Sequence, residues 1–165
     1  MKVGSITIPD VLYDEQGNPV RSADVVSAVR TEFRELESVL GFHHMLNWWA
    51  SRKVMWIVRR KHYYRYLGRR QFAAISLVYF NYTMTGDTMF NVNEVFGVQS
   101  AYISKQTLRK YLTFCIRPGF VDRITWTKFV LTEDGINLGR LISHEYANII
   151  TKNKEILWKS QLAQL

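Results

Sequence analysis

The sequence predicts a mainly α-helical fold with one small two-stranded β-hairpin late in the chain, and three observations point to it. Apolar residues recur at helical spacing over most of the length, as in Val25, Val29, Phe33, Leu36 and Leu40. Two short extended runs, Phe120–Ile124 and Lys128–Leu131, flank the tight connection Thr125-Trp126-Thr127. A length of 165 residues with 47% hydrophobic and 22% charged residues suits one packed domain with appendages, not a disordered chain.

Four segments follow in order. Residues 1–21 read as an arm or hairpin: Ile6 and Ile8 alternate with polar residues, and Asp14-Glu15-Gln16-Gly17-Asn18-Pro19 is turn chemistry. Residues 22–67 read as two helices. The first covers 22–40, with Ser22 as N-cap, Asp24 in its first turn and Gly41 as its stop. The second covers 42–67, where Trp48, Trp49, Met55, Trp56, Tyr63, Tyr64 and Tyr66 interleave with basic residues, so that apolar side chains run nearly all the way round. Residues 68–134 open with a helix over 69–85, closed by Thr85-Gly86-Asp87. A short helix follows, N-capped by Asn91 and carrying Val92, Val95 and Phe96. Residues 135–165 continue a last helix, with Thr132 as N-cap and Glu133 and Asp134 in its first turn.

Several classes are excluded on composition. The longest apolar stretches, Val54–Val58 and Phe72–Phe80, fall well short of the ~18–20 residues of a membrane helix. The first residues contain no apolar signal core. The single cysteine, Cys115, fits a reducing compartment, so a cytoplasmic location is expected (a host cytoplasm if the chain is viral). His43, His44, His62 and His144 show no metal-ligand spacing. Neither a glycine-rich phosphate loop nor a Gly-x-Ser-x-Gly elbow occurs, and acids are scarce mid-chain. No enzyme activity, metal or cofactor is expected.

Charge is more informative. The chain carries 22 basic and 14 acidic residues, a formal net charge of +8. Residues 41–131 hold fourteen basic and three acidic side chains, residues 1–40 four and seven, and residues 132–165 four of each. A basic stretch of this kind is the electrostatic footprint of a polyanionic partner.

The chemistry concentrates at 104–135. Ser104 is a good N-cap, and Leu108, Tyr111, Leu112 and Cys115 fall on one helical face. The opposite face holds Gln106, Arg109, Lys110 and Thr113 without an acid, side chains suited to base edges and phosphates in a major groove. Arg117-Pro118-Gly119 stops that helix, the hairpin follows, and Thr132 starts the next helix. Short helix, turn, basic helix, hairpin, helix is the element order of a winged helix-turn-helix.

Five runs carry a more specific resemblance: Arg70–Ile75, Asn91–Val95, Ser104–Leu108, Gly119-Phe120-Val121-Asp122-Arg123 and Leu131-Thr132-Glu133-Asp134-Gly135. Together they resemble MarR-type winged-helix regulators, over about residues 42–160. The stretch Val95–Ser104 is somewhat longer than that pattern, and residues 1–40 have no counterpart in it. The resemblance implies a homodimer built from residues 136–162 and the helix around 42–66, with Leu138, Leu141, Ile142, Ile149, Ile156 and Leu157 supplying apolar surface.

The expected function is a homodimeric regulator of transcription that reads double-stranded DNA. Ser104, Lys105, Gln106, Arg109, Lys110 and Thr113 are the DNA-contacting candidates of the helix, and Arg123 and Lys128 those of the wing. Trp126 either lies on sugar-phosphate or packs back on the body, and packing is favoured because exposed tryptophans are unusual. Arg52, Lys53, Arg59, Arg60, Lys61, Arg65, Arg69 and Arg70 form a second basic cluster. It reads as a phosphate surface, as cations snorkelling around an aromatic helix, or as a patch for an acidic protein. Two alternatives stand beside the regulator: an adaptor docking the transcription machinery through the basic aromatic helix, and a replication or partition initiator.

Overall fold

The structure, a computed structural model, describes residues 2–3, 6–32, 42–95 and 104–163. It is mainly helical with small antiparallel sheets. In chain order the elements are β1 (Lys2–Val3), β2 (Ile6–Thr7), β3 (Val11–Tyr13), β4 (Pro19–Arg21), α1 (Ser22–Glu32), α2 (Phe42–Lys61), α3 (Arg69–Thr85), β5 (Met89–Asn91), α4 (Lys105–Thr113), β6 (Val121–Arg123), β7 (Lys128–Leu131) and α5 (Glu133–Ala163). They form two compact units, Met1–Ile57 with His144–Leu165, and Val58–Ser143.

In the first unit, β1 pairs with β2 and β3 with β4, each pair antiparallel. The turn between β3 and β4 is made by Asp14, whose Oδ1 accepts from the Gln16 and Asn18 N–H groups at 3.0 and 2.8 Å. Ser22 does not cap α1 as expected. It is buried, and its hydroxyl donates to the Pro9 carbonyl. Leu12, Val25, Val26, Trp49, Val54 and Ile149 are buried in this unit. Asn153, also buried, clips the strand β3: its Oδ1 accepts from the Tyr13 N–H at 2.8 Å and its Nδ2 donates to the Tyr13 carbonyl at 2.7 Å. The part of the expected first helix at 33–40 lies outside the described residues.

The helix expected over 42–67 ends at Lys61. Tyr63 takes a left-handed conformation (φ 66°), which closes the helix. The chain then folds back so that Tyr64 leans on Phe120, centroids 6.1 Å apart, and Leu67 becomes buried. Arg59 Nε holds this loop by donating to the Leu67 carbonyl at 2.7 Å.

In the second unit, α3 has the expected bounds and buries Phe72, Ala74, Ile75, Val78 and Asn81. Where a short helix was expected from Asn91, the chain forms β5 and a turn over 92–94. Asn91 does accept a backbone N–H, from Asn93 at 2.9 Å, but in that turn. Residues 96–103, which include Phe96 and the expected turn before Ser104, lie outside the described residues. β5 adds a third strand to the hairpin, giving the antiparallel order β5-β7-β6. Phe90 sits opposite Phe129 in register, and their rings stack 6.1 Å apart.

The join between α4, the sheet and α5 is the best-defined corner of this unit. Gly119 turns the chain at φ 83°, a conformation that L side chains rarely adopt. Thr132 Oγ1 donates to the Gly119 carbonyl and accepts from the Gly135 N–H at 3.1 Å, which makes Thr132 the N-cap of α5. Thr132 N–H in turn donates to the Phe120 carbonyl at 3.1 Å. Gly135 lies so close to that carbonyl that a Cβ would stand 2.1 Å from its oxygen. The run Leu131-Thr132-Glu133-Asp134-Gly135 therefore has a packing reason for its threonine and for its glycine.

On α5, Leu138, Ile142 and Ile149 are buried within the single chain, which removes them from the expected dimer surface. Leu141 is half-buried, and the side chains of Ile156 and Leu157 lie outside the described residues. Among the described residues, no helix is long and apolar enough to cross a membrane.

Candidate nucleic-acid interface

Helix α4 is fixed at both ends and along one face. Ser104 Oγ accepts from the Thr107 N–H at 3.1 Å at the N-terminus. Leu108 and Leu112 are fully buried, a contribution of roughly 1.5–3 kcal/mol each. At the C-terminus, Gln71 of α3 donates through Nε2 to the Phe114 carbonyl at 2.8 Å, while its Oε1 accepts from the Gly68 N–H at 2.7 Å. One amide thus ties the start of α3 to the end of α4. The helix stops at Thr113, three residues before the expected Ile116, because 114–119 wind into successive turns that lead to Gly119.

This anchoring leaves the other face to solvent. Lys105, Gln106, Lys110 and Thr113 are exposed and Arg109 is half-buried. Gln106, Arg109, Lys110, Thr113 and Phe114 line a cleft of 510 Å³ together with Arg123 and Trp126 from the hairpin. No carboxylate lines it. Five of the eight sequence candidates therefore converge on one concavity. Ser104 serves as the cap of α4, and Lys105 and Lys128 are exposed outside the cleft.

Trp126 organises the cleft, against the expectation that it packs back on the body. It is 64% exposed. The Arg109 guanidinium carbon lies 4.6 Å from its ring centroid and that of Arg123 5.1 Å. Arg123 is further held 5.0 Å from the Phe129 centroid and donates through Nη2 to Thr113 Oγ1 at 3.3 Å. Thr113 Oγ1 itself donates to the Arg109 carbonyl at 3.0 Å. Two cations from separate elements thus meet on one ring, which offsets the cost of exposing it.

The second basic cluster is divided between the two units. In the first unit, Arg52 Nη1 donates to the Ala28 carbonyl, and Lys53 Nζ lies 3.5 Å from Glu15 Oε2. In the second unit, Arg59 holds the loop after α2, and Arg70 lies over Phe114 and Tyr111 at 5.5 and 6.0 Å. Arg60, Lys61, Arg65 and Arg69 are exposed. Arg52, Lys53 and Arg59 thus have partners within the chain.

Cys115 is buried on the apolar side of α4, and burial pushes its thiol up to about 12. A thiol buried in this way is ordinarily unreactive. Among the described residues, no group of three or more His, Cys, Asp or Glu side chains is placed to hold a metal ion.

Comparisons with protein-family models, curated proteins and solved structures each return no match to this chain.

Proposed function

We propose that this chain is a sequence-specific, double-stranded-DNA-binding regulator of transcription. In this reading it is a winged helix-turn-helix protein akin to the MarR-type regulators, acting as a cytoplasmic homodimer. The single observation that carries the reading is the acid-free cleft in which the polar face of α4 meets the hairpin through Arg109, Trp126 and Arg123. A helix whose exposed face is Gln106, Arg109, Lys110 and Thr113 offers donors for guanine, an amide for adenine and a methyl for thymine. The hairpin beside it supplies cations for flanking phosphates. Most of the affinity comes from counterion release, and a two-fold dimer sets two such helices about one DNA turn apart.

The test is selection of bound fragments from the source genome at physiological salt, with Arg109→Ala/Lys110→Ala in parallel. The expected result is a small set of two-fold-symmetric sites that disappears in the variant. Unenriched binding that survives the variant rejects the reading and directs attention to a protein partner for α2.

A further inference from the structure

A second cleft, of 610 Å³, abuts the first and shares Thr113 and Phe114 with it. Its walls are the loop after α2, with Tyr63, Arg65 and Tyr66, and the turn after α4, with Phe114 and Arg117. The rings are open to solvent: Tyr63 is 79% exposed, Tyr66 96% and Phe114 42%. Folding does not account for the exposure of Tyr63 and Tyr66, because Tyr64 and Leu67 already supply the buried contacts of that loop. Tyr63 is held at φ 66°, where it closes α2 and fixes the start of the loop. The loop is anchored on either side of Tyr66 by Tyr64 on Phe120 and by the Arg59 bond to the Leu67 carbonyl. No carboxylate lines this cleft either, and Arg65 and Arg117 have no acidic partner among the described residues.

We propose that this aromatic and cationic cleft binds single-stranded nucleic acid, with unpaired bases stacking on Tyr66, Tyr63 and Phe114 and phosphates facing Arg65 and Arg117. A polyanion matches the acid-free lining. A duplex keeps its base faces inside its own stack and has no use for exposed rings, whereas every unpaired base presents a π-face. Continuity with the α4 cleft through Thr113 and Phe114 places a strand that leaves a duplex within reach of the rings. The site goes beyond duplex reading and does not depend on it.

Fluorescence anisotropy tests it with labelled oligodeoxyuridine and oligouridine of about 12 nucleotides, within the ~4–16 nucleotides of single-strand sites, and with a random-sequence duplex. The proteins are the full chain, Tyr66→Ala, Tyr66→Phe and Arg117→Ala. Tyr66→Ala is expected to weaken single-strand binding about five-fold or more and leave duplex binding within about two-fold. Tyr66→Phe should restore the strand affinity, and stacking should quench tyrosine emission. A preference for one oligonucleotide identifies the strand as DNA or RNA. No binding of either strand, or a Tyr66→Ala loss shared equally by strand and duplex, overturns the proposal. So does a strand affinity that falls only in Arg117→Ala. Strand binding without duplex binding upholds this site while rejecting the regulator reading.

Discussion

Arg109 of helix α4 and Trp126 at the hairpin tip form one contact, the guanidinium carbon 4.6 Å from the ring centroid. It joins the polar face of α4 to the hairpin, so under the proposed DNA-binding function the two halves of the interface are oriented in advance. Trp126→Ala is expected to lower duplex affinity several-fold, since a cation–π contact at an exposed site is worth about 0.5–1 kcal/mol. Thermal stability should change little because the ring is 64% exposed. Trp126→Phe should fall between. Titration of the two variants against one duplex checks this, and an unchanged affinity in both removes Trp126 from the interface.

The exposed lysines and the cleft arginine should separate in their salt behaviour. Lys105→Ala and Lys128→Ala are expected to weaken binding evenly across sequences, each reducing the slope of log K against log salt by about 0.9 if it contacts one phosphate. Arg109→Ala should instead relax discrimination at one base position, by about 1–3 kcal/mol. Binding isotherms from 50 to 200 mM salt on matched and mismatched duplexes distinguish the two.

Gly135→Ala should destabilise the chain by about 3 kcal/mol, because the new Cβ would stand 2.1 Å from the Phe120 carbonyl oxygen. The obstacle is backbone, which has no rotamer to yield. Urea denaturation of the variant against the parent measures it, and a loss below about 0.5 kcal/mol, the usual range for surface substitutions, contradicts the packing described.

Burial pushes Cys115 and Tyr146 up to about 12, from ordinary values of 9.0 and 10.0. In both, the neutral form is the one the fold favours. Their contribution to stability is present in full below pH 9 and falls away as the pH rises toward 12. The melting temperature should decline across that window, and the thiol should resist alkylation at pH 8 until denaturant is added. Rapid labelling of native protein at pH 8 would show that Cys115 is accessible.

Local chemistry in the sequence identifies α3, α4, the hairpin strands and the Thr132 cap, because each boundary carries its own signal: Gly86, Ser104, Gly119 and Thr132. It misses β5, since three residues give little periodicity and Asn91 makes the same bond to a nearby N–H in a turn as at a helix start. The end of α2 is missed because no glycine or proline marks Tyr63. Trp126 is misjudged because the arginine that compensates its exposure, Arg109, comes from another element. Nearness along the chain also misleads for the basic cluster, where Arg52, Lys53 and Arg59 serve separate backbone and carboxylate partners. Five candidates of the site are nevertheless brought together, since four lie on one face of a single helix.

The double hydrogen bond between Asn153 and Tyr13 spans 140 residues. On a ribosome adding about 5–20 residues per second, Tyr13 waits roughly seven to thirty seconds for the side chain that receives it. Strand β3 is thus secured only once α5 has been made. By then the basic middle of the chain, residues 41–131, has already been made.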